Sequence, residues 1–361
     1  MINLYIKRKQ IRSLLIGVCL LLTLSVSVGV TTPLLVQADT PSNPIKILLV
    51  MDDDYGVSYQ YIRAVFERYG WNITTTALNE TIIGCDYGNN KPLDVDILLT
   101  EISDVTEYDI LTIMPGDSHE NLRTNETALD LIRDSVSEGL IVTAWCRAVR
   151  VLADADVIDG KNVTGNAEYQ SEYEAAGATF FELVPPITDG NIITSVRSTF
   201  YREATCNAIA AAVDFYDSNA PVLTSASLSP SPTAVNVSAL LTVNVQDDAL
   251  IYMVYFDLYE VYANGERADD YTLHKEMNAT ETEGLFEYTI EDLSVGNYTI
   301  DIFAWDCFMN TVQFNDTVMF NVLEELPTTQ GQDFMQWVIP GAIIGGVVVA
   351  IGVLVMIVKR R

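Results

Sequence analysis

Short β-rich apolar runs alternate with amphipathic stretches from Lys46 to about Val213. The first run, IKILLVM, is followed by residues 58–69, whose apolar side chains recur at three- and four-residue spacing before Gly70, the residue type that ends many helices. A second helix is predicted at 126–137, between the runs YDILTIMPG and LIVTA. Continuous apolar strands separated by helices are typical of a parallel sheet covered on both faces. The pattern predicts an α/β domain over residues 45–215.

One cysteine stands at the junction of a strand and a helix in the segment IVTAWCRAVRVLADADVIDG. A nucleophile on such a sharp turn needs small residues two positions away on both sides, and Ala144 and Ala148 meet this need around Cys146. The helix N-terminus and the nearby Arg147 and Arg150 should favour the thiolate, so a lowered thiol pKa is predicted. The alternative is a buried structural cysteine, and spacing alone leaves both interpretations open.

The segment AWCRAVRVLADADVIDGKNVTG resembles the cysteine elbow of the PfpI family, the intracellular-protease and parkinsonism-associated deglycase family. Two later segments, YEAAGA and DGNIITS, are similar to motifs of the same family, and the strand, Pro-Gly loop, elbow and terminal helix follow the family's order. The resemblance implies a flavodoxin-like, doubly wound parallel sheet of the class I glutamine amidotransferase-like fold. It also implies that Cys146 is the nucleophile.

The residues around the elbow depart from the family pattern. A glutamate on the helix after the first strand commonly contacts the family's cysteine, and Ser58 stands at that place. A histidine often follows the cysteine, where this chain has Arg147, which cannot serve as a base at neutral pH. The family's Gly-Gly loop appears as Gly116 and Asp117, and these two residues with Arg147 are predicted to stabilise developing charge.

His119 and Glu120 lie in the same loop as Gly116 and offer a substitute for the missing base. Cys146, His119 and Glu120 are therefore the predicted catalytic set. The competing interpretation makes His119 a solvated loop residue, because adjacency in sequence does not establish the geometry of a base and its orienting group.

The resemblance implies cysteine-dependent hydrolysis or glyoxalase/deglycase-type chemistry on a small molecule or peptide. A non-catalytic ligand-binding or adhesion ectodomain that keeps the fold is the main alternative, and a redox-sensing thiol is a third. Enzyme status stays open at this level. No cofactor or metal is predicted, since Cys85, Cys146, Cys206 and Cys307 are scattered without a zinc-site spacing. Cys85 and Cys206 could form a disulfide, and the resemblance leaves a homo-oligomer open.

From residue 220 the pattern changes to strands of alternating character separated by turn signals such as Asn264-Gly265. In the segment LSVGNYTIDIFAWDCFMN, the opening L-x-x-G-x-Y resembles the tyrosine corner of immunoglobulin-like sandwiches. The ending A-x-D-x-x-x-N is similar to that of microbial surface Ig-like modules, with Met309 in place of the usual glycine. An all-β Ig-like sandwich is predicted over residues 220–325.

The two ends of the chain predict membrane targeting. Residues 1–38 have the charge, apolar and small-residue order of a signal peptide, and 337–358 form an apolar run long enough for a transmembrane helix. A tether is predicted at 326–336 and a cytoplasmic basic tail at 359–361. The positive-inside rule then predicts a single-pass cell-membrane protein that contacts the lipid bilayer through one C-terminal helix, with its N-terminal part outside.

The charge and the glycosylation sequons fit an exposed surface protein. The formal net charge is −29, which argues against a nucleic-acid partner because phosphates would be repelled. Glycosylation is predicted from eight Asn-x-Ser/Thr sequons, at Asn72, Asn79, Asn125, Asn162, Asn236, Asn278, Asn297 and Asn315.

Overall fold

The computed structural model describes residues 44–85 and 90–326. The first part of the chain forms an α/β domain, in agreement with the predicted alternation. Its strands are β1 (Lys46–Val50), β2 (Asn72–Ala77), β3 (Thr81–Ile83), β4 (Pro92–Asp94), β5 (Ile97–Leu98), β6 (Ile110–Ile113), β7 (Ile141–Trp145), β8 (Asn162–Val163), β9 (Thr179–Phe180), β10 (Ile187–Asp189) and β11 (Ile192–Ser195). Its helices are α1 (Ser58–Arg68), α2 (His119–Leu122), α3 (Glu126–Ser137), α4 (Val149–Asp154), α5 (Gln170–Ala175) and α6 (Ser198–Ala212).

A seven-stranded sheet in the order β10-β11-β7-β6-β1-β2-β5 forms the centre of this domain. All neighbours pair in parallel except β10, which runs antiparallel to β11. The apolar side chains of α1 and α6 pack on one face of the sheet, and those of α3, α4 and α5 pack on the other. The predicted doubly wound, flavodoxin-like sheet is confirmed.

Local sequence explains where the helices begin and end. Helix α1 has the predicted buried stripe, which includes Ile62, Val65 and Phe66, and Gly70 follows it with a φ of 73°. Helix α3 begins after Asn125, whose side-chain oxygen accepts a hydrogen bond from the amide of Ala128 at 3.2 Å. This side-chain cap satisfies one of the amides that a helix N-terminus leaves without an intrahelical partner.

The second part of the chain forms a domain of two antiparallel sheets joined by one core. Its strands are β12 (Val222–Ser229), β13 (Thr233–Ala234), β14 (Ala239–Gln246), β15 (Ile251–Val261), β16 (Leu273–Glu276), β17 (Asn278–Ala279), β18 (Leu285–Ile290), β19 (Gly296–Asp306) and β20 (Thr311–Leu323). One sheet has the order β12-β14-β18-β17 and the other the order β13-β20-β19-β15-β16, in which only the short β13 pairs in parallel. Val243 and Phe286 of the first sheet pack with Phe256 and Ile302 of the second.

The hydroxyl of Tyr298 donates a hydrogen bond of 3.0 Å to the carbonyl of Ser294, four residues upstream. This contact has the form of a tyrosine corner. The region is thus β-rich and built as a sandwich, while its assignment to the Ig-like class stays a prediction.

The two domains meet through an aromatic cluster. Phe308, just after β19, packs against Tyr69 at a centroid distance of 4.9 Å and against Phe215 at 5.6 Å. The guanidinium of Arg68 donates to the carbonyl of Cys307 at 2.8 Å, so that a polar contact accompanies the apolar one. The β domain therefore docks on the face of the α/β domain that carries α1 and α6.

The membrane part of the predicted architecture is corrected. Within residues 44–85 and 90–326, no helix has the length and apolar character needed to cross a bilayer. Among these residues the structure supports an α/β domain followed by a β-rich domain and no transmembrane helix, so it does not support the predicted single-pass placement in the cell membrane. The predicted signal peptide at 1–38, transmembrane run at 337–358 and tail at 359–361 lie outside the described residues, as does the tether beyond Leu326.

Candidate functional site

The candidate site lies at the carboxyl edge of the central sheet. Strands β6, β7 and β11 are parallel neighbours, so their carboxyl ends open on the same edge. Gly116 follows β6, Cys146 follows β7 directly, and Arg197 follows β11. Open α/β sheets bind ligands at this edge, where loops from adjacent strands converge.

Cys146 occupies a strained turn between β7 and the short 3₁₀ segment Cys146–Ala148. Its φ of 56° lies in the left-handed region, which costs a residue other than glycine about 1–2 kcal/mol. Ala144 and Ala148 are fully buried on either side, in agreement with the need for small residues there. The amide of Asn166 donates to the carbonyl of Cys146 at 3.2 Å, and this bond helps to hold the turn. The thiol is free and half-buried.

The electrostatic environment of Cys146 differs from the prediction. Burial raises the pKa of the Cys146 thiol, and the nearby Asp117 carboxylate acts in the same direction. The amide and guanidinium of Arg147 and the guanidinium of Arg197 act in the opposite direction but do not overcome the desolvation. The predicted lowering of the pKa is therefore wrong, because the sequence does not show how far the turn withdraws the sulfur from water.

Asp117 and Arg147 form an ion pair beside the thiol. Each side chain is about half exposed, so the pair lies at the mouth of the site. The amide of Asp117 donates to the carbonyl of Asp54 at 3.0 Å and is therefore not directed at a substrate oxygen. Of the three residues predicted to stabilise charge, Arg147 and Asp117 are brought to Cys146. Gly116 has a φ of 150°, and its backbone packs so closely on Gly56 that a Cβ would not fit between them.

His119 is buried and both of its ring nitrogens are engaged away from the thiol. Its Nδ1 lies 3.0 Å from the carbonyl of Gly116 and must donate to it, while its Nε2 lies 2.9 Å from Nη1 of Arg150, which can only donate. Nε2 therefore accepts from Arg150, and a carboxylate oxygen of Glu120 lies 3.2 Å from the same nitrogen. The structure thus brings His119 and Glu120 together, while no hydrogen bond within the described residues joins either of them to Cys146.

Arg150 anchors a charged network behind the loop instead of facing the sulfur. It is almost fully buried, and it binds Glu172 through two hydrogen bonds of 2.9 and 3.0 Å. It also pairs with Glu120 and lies 4.0 Å from the centroid of the Tyr169 ring. The two arginines predicted to activate the thiol therefore have different roles, and only Arg147 acts on it.

Two side chains near the thiol were not predicted. Arg197 supplies the second positive charge, and its position directly after a buried strand could have revealed it. The hydroxyl of Tyr173 and the carbonyl of Cys146 both lie beside Gly165. A Cβ on this glycine would lie 3.2 Å from the hydroxyl and 3.1 Å from the carbonyl. This hydroxyl is buried and has no hydrogen-bond partner among the described residues. Burial, and then the proximity of Cys146, raise the pKa of Tyr173, which keeps it a proton donor.

The other cysteines do not interfere with the site. Cys85, Cys146, Cys206 and Cys307 are all free thiols, so the disulfide considered for Cys85 and Cys206 is not formed. Cys206 and Cys307 have no exposed surface, whereas Cys85 is half-buried like Cys146. Cys85 thus offers a matched control for experiments on Cys146.

The ion pair beside the thiol gives a first prediction. Asp117→Asn should lower the pKa of Cys146, because the substitution removes a carboxylate that raises it and releases Arg147 to face the sulfur. Arg147→Gln should raise the pKa, since it removes a positive charge. A titration that follows the ultraviolet absorbance of the thiolate measures both shifts. Asp134→Asn, on the outer surface of α3, is the control, and a shift in the same direction for Asp117→Asn and Arg147→Gln would contradict the account.

Known proteins resemble the α/β domain. Residues 46–210 match the model of the DJ-1/PfpI family. An uncharacterized protein of Archaeoglobus fulgidus is 35% identical over 91 residues, which cover 25% of this chain and 54% of that protein. Deglycase PfpI of Pyrococcus furiosus is 25% identical over 143 residues, or 40% of this chain and 82% of the relative. The chain thus spans about half the length of the first relative and most of the second.

A solved structure also aligns with part of the chain. Drosophila melanogaster DJ-1beta aligns with a TM-score of 0.43 and 21% identity, over 47% of this chain and 90% of that chain. This alignment and the two sequence relatives each cover less than half of the present chain. Residues 46–210 of this protein are thus similar in sequence to the DJ-1/PfpI family, as the cysteine elbow predicted.

Proposed function

We propose that the DJ-1/PfpI domain performs cysteine-dependent chemistry on a carbonyl group of a small molecule or peptide, with Cys146 as the nucleophile. The observation that carries the proposal is a free, half-exposed thiol held at a strained turn on the carboxyl edge of the sheet. The relative named a deglycase supports this class of reaction. An aldehyde of the glyoxal type, or an adduct derived from one, is the substrate class that we infer.

The bonding changes follow from thiol and carbonyl chemistry. A bond forms between the Cys146 sulfur and the carbonyl carbon, and the electron pair of the C=O π bond moves to oxygen. The thiol proton leaves to solvent and a proton is delivered to that oxygen, so the product of this step is a hemithioacetal. The hydroxyl of Tyr173 and the amide of Arg147, which both interact with Cys146, are the donors that we infer for that oxygen.

A binding role without turnover is the second candidate. The raised pKa of Cys146 leaves little thiolate near neutral pH, and the lone pair of His119 is occupied by Arg150. These observations favour a domain that keeps the family fold and captures a ligand without converting it. Under this alternative, an aldehyde would bind reversibly and would be recovered unchanged.

Substrate protection tests the proposal. The protein is incubated with methylglyoxal, alkylated with iodoacetamide and mapped by mass spectrometry, while loss of the aldehyde is followed in parallel. We expect methylglyoxal to protect Cys146 in a saturable manner, to leave Cys85 unprotected, and to be consumed over time. Protection without consumption would favour the binding alternative, and equal labelling of Cys146 with and without aldehyde would contradict the proposal.

A further inference from the structure

Three carboxylates converge at the junction between the two domains. Asp217 lies in the linker between α6 and β12, Asp247 follows β14, and Asp306 ends β19. One oxygen of each carboxylate lies within 4.8 Å of the others. Residues far apart in sequence are thus brought together by the docking of the linker on the β domain. We call these three residues the junction cluster.

Two oxygens of the cluster are buried without a donor. Oδ2 of Asp217 and Oδ2 of Asp247 are inaccessible to solvent and accept no hydrogen bond from any described residue. The opposite oxygens are well satisfied, because Oδ1 of Asp217 accepts from Asn219 at 2.8 and 3.1 Å and Oδ1 of Asp247 accepts from the Ala249 amide at 2.9 Å. Buried carboxylate oxygens without donors are costly, so a proton shared by the two carboxyl groups or a bound cation must compensate them.

Asp306 is held rigidly in the same place. It has no exposed surface, and its Oδ1 accepts from the amides of Phe308 and Asn310, both at 2.8 Å. The side chain of Asn310 donates to Oδ2 of Asp306 at 2.7 Å and to the backbone carbonyl of Asp217 at 3.3 Å. These bonds tie the linker to the end of β19 and leave the carboxylates fixed close to one another.

The cluster has an electrostatic cost that a cation would remove. The side chains of Asp217 and Asp247 lie within hydrogen-bonding distance of each other, so the two carboxylates repel each other unless a proton or a cation lies between them. Within the described part of the chain, no lysine or arginine forms an ion pair with any of the three.

We propose that the junction cluster binds a divalent cation of the calcium type. Hard oxygen donors select calcium, magnesium or manganese over softer metals, and calcium tolerates the irregular, carboxylate-rich geometry that magnesium does not. The bound cation neutralises the cluster and holds the linker against the β domain. Because Phe308 follows Asp306 closely and packs on the α/β domain, the cation also stabilises the orientation of the two domains.

Calorimetric titration of the metal-stripped full-length protein with calcium chloride tests the proposal. We expect one saturable site, weakened about tenfold or more in Asp217→Asn and Asp247→Asn. Asp248→Asn is the control, because it removes an exposed neighbouring charge and keeps the cluster. High ionic strength suppresses diffuse binding to the acidic surface.

Thermal unfolding distinguishes a lost ligand from a misfolded variant. Calcium should raise the melting temperature of the wild type by several degrees and that of Asp247→Asn by much less. In chelator, Asp247→Asn should melt no lower than the wild type, since it removes repulsion within the cluster. The proposal is overturned if calcium binds wild type and Asp247→Asn equally, if it leaves the melting temperature unchanged, or if only magnesium saturates the site.

Discussion

Replacing Cys146 by serine is expected to reduce aldehyde turnover by at least about a thousandfold. The reaction proposed for the site depends on the sulfur, and a serine hydroxyl is a weak nucleophile without an adjacent base. No such base contacts Cys146 among the described residues, since His119 donates to Gly116 and accepts from Arg150. Measured kcat/KM values for the wild type and the variant give the loss directly.

Cys85→Ser provides the matched control for this measurement. Cys85 is also a free, half-buried thiol of the α/β domain, but it follows β3 and not the strained turn after β7. We expect Cys85→Ser to retain wild-type kcat/KM. Comparable losses in both variants, or turnover that survives in Cys146→Ser, would remove Cys146 from the mechanism.

Replacing Phe308 by alanine is expected to destabilise the protein by about 3–4 kcal/mol. Phe308 is only 8% exposed and forms the centre of the aromatic cluster between the domains, with Tyr69, Phe215 and Tyr216 around it. Alanine would leave a cavity lined by these rings and weaken the contact that joins the β domain to α1. Urea unfolding, followed separately by the signals of the two domains, measures the loss.

Phe200→Ala is the control for the aromatic cluster, because Phe200 is 63% exposed on α6. Its loss should change the stability by less than about 0.5 kcal/mol. If the two domains unfold in one transition in the wild type, Phe308→Ala should separate that transition into two. An effect of Phe308→Ala no larger than that of Phe200→Ala would show that the domains do not depend on this contact.

The fold of the α/β domain is predictable because its signals are local. Helix α3 occupies the predicted residues 126–137. Strand β7, which precedes Cys146, ends within one residue of the predicted position. Apolar periodicity and the small residues Ala144 and Ala148 are properties of neighbouring positions, so the sequence contains them. The turn at Cys146 could therefore be predicted without a structure.

The chemistry of the site is less predictable because it depends on contacts between distant segments. His119 is turned into the loop by Gly116 and Arg150, and Arg150 is in turn held by Glu172 on a later helix. The positive charges near Cys146 in the sequence predicted a lowered pKa of its thiol, whereas burial by the surrounding elements raises this pKa.

In the β domain, too, the sequence does not show the contacts that polar residues make with distant segments. Alternation along β19 puts Ile300 and Ile302 on one face, which lies in the core, and puts Thr299 and Asp301 on the opposite face. Thr299 and Asp301 on that face are buried, since Arg267 donates to Asp301 at 2.8 Å and Asp316 approaches from β20. The burial of Asp301 beside the partly exposed Arg267 depends on a loop that periodicity does not describe.

The most direct test of the account is the pH dependence of Cys146 alkylation in the native protein, read residue by residue by mass spectrometry. We predict that Cys146 reacts while the fully buried Cys206 and Cys307 do not. Because burial raises the pKa of Cys146, its rate should still be rising where an ordinary thiol, with a pKa of about 8.5, has levelled off. An unreactive Cys146, a disulfide at this position, or a rate that levels off below neutral pH would contradict the account.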